Sequence, residues 1–210
     1  MSTRTVTWDE AVALFEERGL SEEIWQNLYE GEYVLHTGSA DIDGGFPLND
    51  GEDHPWEEER DIGYIVDGDL TLSGPLYDFD DGAAALVVLG NLKVKALHTT
   101  CDSKIIVTGH TTAEVIYAEY SDKYLVFAGD LRATVQLWLS ESTPDHIGGT
   151  FAGSLVHMGY DRDYPIEAGK VELSPVPFSE LLVPEVLEDG EVDSEALLDR
   201  MTSGEPLLRS

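Results

Sequence analysis

Apolar and polar residues alternate through the middle of the chain in short bursts that recur about every twenty positions. The clearest are Val66-Asp67-Gly68-Asp69-Leu70-Thr71-Leu72, Val88-Leu89-Gly90-Asn91-Leu92-Lys93-Val94 and Phe127-Ala128-Gly129-Asp130-Leu131-Arg132-Ala133. Aligned on Gly68, Gly90, Gly109, Gly129 and Gly153, the spacings are 22, 19, 20 and 24. Four before each glycine stand Tyr64, Leu86, Ile105, Leu125 and Gly149; two before stand Val66, Val88, Val107, Phe127 and Phe151. Two after stand Leu70, Leu92, Thr111, Leu131 and Leu155; four after stand Leu72, Val94, Ala113, Ala133 and His157. Even offsets share one face of a strand. Units that repeat one apolar face at this period bury it by stacking on one another. The pattern predicts a mainly β fold, a single-stranded right-handed parallel β-helix of about five short coils over residues 62–158, capped by α-helices at both termini. The uneven spacing argues against a strict hexapeptide left-handed helix. An antiparallel β-sandwich or meander is the alternative, because strands at intervals of about 8–12 residues with turn signals also build one.

Each repeat glycine falls between two strands, where the chain must bend tightly or take positive φ. The residue after it is Asp69, Asn91, His110, Asp130 or Ser154, each able to bond backbone groups at the corner. The ends of such a stack need covering. Thr7-Trp8-Asp9-Glu10 is a capping box that opens a helix with the stripe Ala11, Leu14 and Phe15, closed by Gly19. Ser21 starts a second helix, with Ile24 and Leu28 inward and Gly31 as stop. Asp193 caps a C-terminal helix carrying Ala196, Leu197 and Met201, stopped by Gly204, and a short helical piece around Phe178–Val183 precedes Pro184. Tyr33–Ile42 alternates and is read as a degenerate extra coil around Gly38. Residues 43–61 are read as a long polar surface loop. The expected organisation is therefore 1–61 as helical cap and acidic loop, 62–160 as solenoid, and 161–210 as helical cap and tail, one structural domain overall.

Charge sharpens this picture. The 210 residues carry 42 Asp and Glu against 12 Lys and Arg, a net charge of -30. Residues 1–82 hold 22 acids and 3 bases, residues 83–137 hold 5 and 5, and residues 138–210 hold 15 and 4. The coils are balanced and the flanks are acidic. Nucleic acid and anionic membrane are disfavoured as partners, since both require clustered cations. A basic protein partner is the class that fits. The start, Met1-Ser2-Thr3-Arg4-Thr5, runs into acidic sequence with no apolar leader, so a cytoplasmic location is expected.

Candidate chemistry is sparse. Asp78-Phe79-Asp80-Asp81-Gly82 brings three carboxylates together, but without calcium-loop spacing it reads first as a solvated acidic loop and second as a partner contact. Asp41-Ile42-Asp43-Gly44-Gly45 reads as a turn on the same grounds. His98 and Cys101 resemble half a metal site that His110 could complete, yet no paired ligand spacing occurs. His110 shares the corner column with Asp and Asn, which makes a turn hydrogen bond its simpler role. Cys101 lacks the setting of a nucleophile, and no Gly-rich loop opens a helix after a strand. No enzyme activity, cofactor or metal is expected. Trp8, Trp25, Tyr29 and Tyr33 are read as packing between helices and solenoid. The residues expected to meet a partner are Glu57, Glu58, Glu59, Asp78, Asp80 and Asp81 through charge, with Tyr117, Tyr120 and Trp138 as aromatic anchors.

The three Gly-centred bursts, with the tail Glu188-Asp189-Gly190-Glu191-Val192-Asp193 leading to Leu197-Leu198, resemble a family of bacterial β-solenoid proteins found among polymorphic toxin and contact-competition loci. The resemblance covers residues 60–210 and rests on structural rather than catalytic motifs. The Thr111 and Ala113 coil departs from its leucine pattern. Bactofilins share the Gly-Asp rhythm but are more regular. The resemblance implies an immunity protein that binds and neutralises a cognate toxin, for example a nuclease, by covering a basic cleft. A self-associating scaffold solenoid and an acidic nucleic-acid mimic are the alternative readings.

Overall fold

The repeated bursts pair in parallel with their counterparts one repeat away. Leu86 lies beside Tyr64 on one side and Ile105 on the other, and Ile105 in turn lies beside Leu125. The structure, a computed structural model, describes residues 3–49, 54–56, 62–78, 84–100, 102–120, 122–140, 142–158 and 166–210. It is a parallel β-solenoid whose coils each turn through three faces. Five coils occupy residues 63–158, and Tyr33–Pro47 adds another ahead of them, in register with Gly63–Tyr77. The extra coil around Gly38 is therefore present.

The first face stacks Tyr33–Thr37, Gly63–Asp67, Ala84–Val88, Ser103–Val107, Tyr124–Phe127 and the start of His146–Met158. The second stacks Ala40–Ile42, Leu70–Leu72 and Leu92–Lys93, then the first halves of Thr111–Ala118 and Leu131–Leu139. The third stacks Phe46–Pro47, Pro75–Tyr77 and Ala96–Thr99, then the second halves of those two long strands. Side chains such as Val66, Val88, Val107 and Phe127 fill the lumen together with Leu70, Leu92, Leu131 and Leu97. Gln136 enters the same lumen. Its amide donates to the Ala152 carbonyl at 2.7 Å and its oxygen accepts from the Trp138 indole at 3.2 Å, so neither polar end is left unpaired.

The terminal helices form where the caps predict. Thr7 and Glu10 make both bonds of the capping box, and Asp193 accepts from the Glu195 and Ala196 amides. Both segments lie along the sides of the stack. Ala11, Phe15, Leu20 and Leu28 pack on the outward residues of the first face, including Tyr33, Leu35, Ile65, Val87, Ile106 and Val126. Trp8, Trp25 and Tyr29 join that contact. Leu182, Val186, Leu197, Met201 and Leu207 pack on the outward residues of the third face, including Val115, Tyr117, Val135 and Leu137. Two sheets are thus buried on both sides, and among the described residues the second face is left bare. Residues 43–61 are not wholly surface loop. Phe46, Leu48 and Trp56 are buried in the lumen cluster. Trp56 stacks on His36 and meets Phe46 edge-on, and His54 stacks on Tyr64. An open stack exposes its lumen at the first coil, and these apolar rings close it.

The register of the last coil also differs from the sequence alignment. Gly149, not Gly153, occupies the corner column: its amide donates to the Gly129 carbonyl at 3.0 Å, and Phe151 rather than Leu155 lies beside Leu131. Gly153 instead sits inside the long strand, at φ 144°, where a Cβ would fall 2.0 Å from the Ala133 carbonyl oxygen. Phe151 and Leu155 also flank Gly153 at offsets of two, so local spacing does not separate the two glycines. The true column needs glycine for space rather than for positive φ, since a Cβ on Gly109 would lie 2.6 Å from the Gly90 carbonyl oxygen.

Candidate functional site

The corner after each repeat glycine carries a hydrogen-bond ladder that climbs the stack. The Asp69 amide donates to Ser39 Oγ at 3.0 Å, and Asp69 Oδ1 accepts from the Asn91 amide at 2.7 Å. Asn91 Oδ1 accepts from the His110 amide at 2.8 Å, His110 Nδ1 from the Asp130 amide at 3.0 Å, and Asp130 Oδ1 from the Thr150 amide at 2.7 Å. His110 Nδ1 thus serves as the corner acceptor that a carboxylate or amide oxygen supplies in the neighbouring coils. The Thr150 amide, with Arg132 beside it, holds the Asp130 carboxyl below its ordinary range.

A second polar cluster lies where the third face turns into the first. Asp78 leaves the third-face strand and buries its carboxylate. Oδ1 accepts from the Thr100 amide at 2.8 Å and Oδ2 from the Thr99 hydroxyl at 3.1 Å. Thr99 also meets the Ser103 hydroxyl, and Ser103 bonds the carboxylate. Burial pushes the Asp78 carboxyl up, opposed by these three donors and by Lys123. His98 is buried beside it, with Nδ1 donating to the Asp78 carbonyl at 3.2 Å. Burial lowers its pKa to about 4, so the ring is neutral near pH 7. Asp, Ser and His are together here, but the hydroxyls bond the carboxylate while the imidazole bonds a backbone carbonyl. These bonds join residues of successive coils, so the cluster fastens the stack.

The residues expected to meet a partner separate under this geometry. Glu57, Glu58, Glu59, Asp80 and Asp81 lie outside the described residues, as does Cys101. Asp78 is not in a solvated loop, because its donors hold it inside. Trp138 fills the lumen, and Tyr117 is enclosed beneath the C-terminal segment, where its hydroxyl donates to Glu119 at 2.6 Å. Neither presents a ring to a partner, because the third face is buried on both sides. Tyr120 is 59% exposed. Its backbone takes φ 68°, and its carbonyl, with that of Glu119, accepts from the Lys123 ammonium. The loop thus wraps a cation and directs one aromatic ring outward.

The exposed acids Asp9, Glu10, Glu16, Glu17, Glu22, Glu23, Glu30 and Glu32 ride on the N-terminal segment. Glu180, Glu185, Glu188, Asp189, Glu191, Glu195, Asp199 and Glu205 ride on the C-terminal one. The bare second face differs, with Asp41, Thr71, Lys93, Thr112, Arg132, Ala152 and Glu172 in its outward column. A shallow groove of about 370 Å³ runs beside it, bordered by Ser73, Lys93, Lys95, Thr112 and Glu114. Lys95 is held there by the Gly204 and Glu205 carbonyls of the C-terminal segment. Sequence reasoning missed this face. The signal was available, since Leu-Thr-Leu, Leu-Lys-Val and Leu-Arg-Ala alternate where the other faces are continuously apolar.

No family model, curated protein or solved structure matches the chain. Among the described residues, no three His, Cys, Asp or Glu side chains group to hold a metal ion, and no helix is long and apolar enough to cross a membrane.

Proposed function

We propose that this protein is a non-enzymatic binding protein of the cytoplasm, an immunity protein that neutralises a basic toxin by occlusion. The observation that carries the reading is the placement of charge. Sixteen exposed carboxylates ride on the two terminal segments, while residues 83–137 of the coils between them hold five acids and five bases. A fixed acidic surface of this kind draws a basic partner by long-range attraction and repels nucleic acid. The coils hold it rigid, and Tyr120 offers one aromatic anchor. The resemblance of the Gly-centred bursts to solenoids of toxin loci supports the same reading.

Co-expression with the product of the neighbouring open reading frame tests it. That product should arrest growth alone, and this protein should relieve the arrest by forming a complex that salt weakens. A harmless neighbour, or one that stays toxic in the presence of this protein, refutes the reading.

A further inference from the structure

Among the described residues, the large hydrophobics with strong exposure are Tyr120, Val171, Leu173 and Val176. Three of the four gather at one end of the stack. Ala168–Leu173 is the last strand of the solenoid, pairing in parallel with His146–Met158 on one edge. Among the described residues no strand pairs its other edge. Val171 continues the lumen column of Leu131 and Phe151, yet remains 45% exposed. Leu173, two residues on, is 53% exposed. Among the described residues, then, an open strand edge stands beside a half-exposed lumen valine, and such an edge is a pairing surface.

The opposite end is closed to such pairing on the first face. There Thr3–Val6 runs antiparallel along Tyr33–Thr37 and occupies the edge of the first coil. Ala168–Leu173 spans the first and second faces, so stacking it onto the first coil of another molecule would collide with Thr3–Val6. Head-to-tail filaments are thereby disfavoured, and end-to-end association about a twofold axis remains.

The strand suits its own copy. Pairing antiparallel about Val171 sets Val171 against Val171 and Gly169 against Leu173. It also sets Lys170 of each copy against Glu172 of the other, on one face of the joined sheet. Within each copy Glu172 already pairs with Lys170 and Arg132, so the two Lys–Glu pairs across the axis extend an existing charge network, and valine joins the two lumens. Residues 166–176 contain two acids and one base, so this is among the places where the -30 chain opposes a second copy least.

We propose that the protein forms a closed twofold dimer through the free edge of Ala168–Leu173. The proposal does not depend on the identity of any toxin. Sedimentation of the full chain across a concentration series should show a monomer–dimer equilibrium with no larger species. K170E and E172K each set like charges across the axis twice, and each should weaken dimerisation about tenfold or more. Exposed charge swaps should leave the circular dichroism spectrum unchanged. The double variant K170E/E172K restores opposite charges and should dimerise again, and so should an equimolar mixture of the two single variants. A monomer at every concentration, an open-ended series of oligomers, or a dimer indifferent to the swaps overturns the proposal. So does failure of both the double variant and the mixture to recover.

Discussion

The His98 imidazole lies flat on the Tyr117 ring, with centroids 5.1 Å apart and planes 6° from parallel. The two residues are neighbours one coil apart on the third face. Tyr117 closes one side of the imidazole, and the Asp78 carbonyl accepts a hydrogen bond from its Nδ1–H. This enclosure makes the charged form costly.

A pH dependence follows. The folded pKa of His98, about 4, lies below the ordinary value of 6.5. Between these values the unfolded chain binds the proton and the folded chain does not, so stability from this group is full above pH 6.5 and falls away as pH drops towards 4. That difference corresponds to roughly 3 kcal/mol. Asp78 acts in the opposite sense, since its raised pKa favours the fold as pH falls. The comparison of wild type with His98→Asn, which keeps a donor near the Nδ1 position, isolates the histidine. The stability gap between the two proteins, followed by urea unfolding, should narrow or reverse as pH falls from about 6.5 to about 4. A gap independent of pH would show that His98 is not held neutral.

Thr111 stands in the lumen column occupied by Leu70, Leu92 and Leu131, and its hydroxyl is buried without a hydrogen-bond partner. Thr111→Val keeps the shape and removes the unpaired group. It should stabilise the protein by about 1 kcal/mol, seen as a higher urea midpoint at unchanged slope.

The corner ladder predicts a pattern rather than a single value. Asn91→Ala removes the acceptor for the His110 amide, and His110→Ala removes the acceptor for the Asp130 amide. Each should cost about 1 kcal/mol in urea unfolding, less where water replaces the bond. His110→Asn supplies a side-chain oxygen like that of Asn91 and should be close to neutral.

Much of this was legible in the chain. The glycine period and the even-offset columns dictate stacked coils, because one apolar face per repeat can be buried only against its neighbours. The caps at Thr7 and Asp193 mark helix starts through local bonds that need no tertiary partner. Strand type was also written locally: Ala84–Val88 is continuously apolar because both its faces are covered, whereas Leu70-Thr71-Leu72 alternates because one face meets water.

Tertiary structure decided what local pattern leaves open. Gly149 and Gly153 have similar sequence surroundings, and only the approach of the Gly129 backbone chooses between them. Asp78 has the sequence context of a solvated carboxylate, and only donors from Thr99, Thr100 and Ser103, about twenty residues away, draw it inside. Tyr117 looks like a surface anchor until Leu197 and Met201 cover the third face, and Trp138 until the stack encloses it in the lumen. The sequence by itself determined the stack and the sign of its surroundings, since both follow from near-neighbour spacing and composition. Which faces are covered, which end is open and where the acids lie were settled by long-range packing of the two terminal segments, a contact that no local window contains.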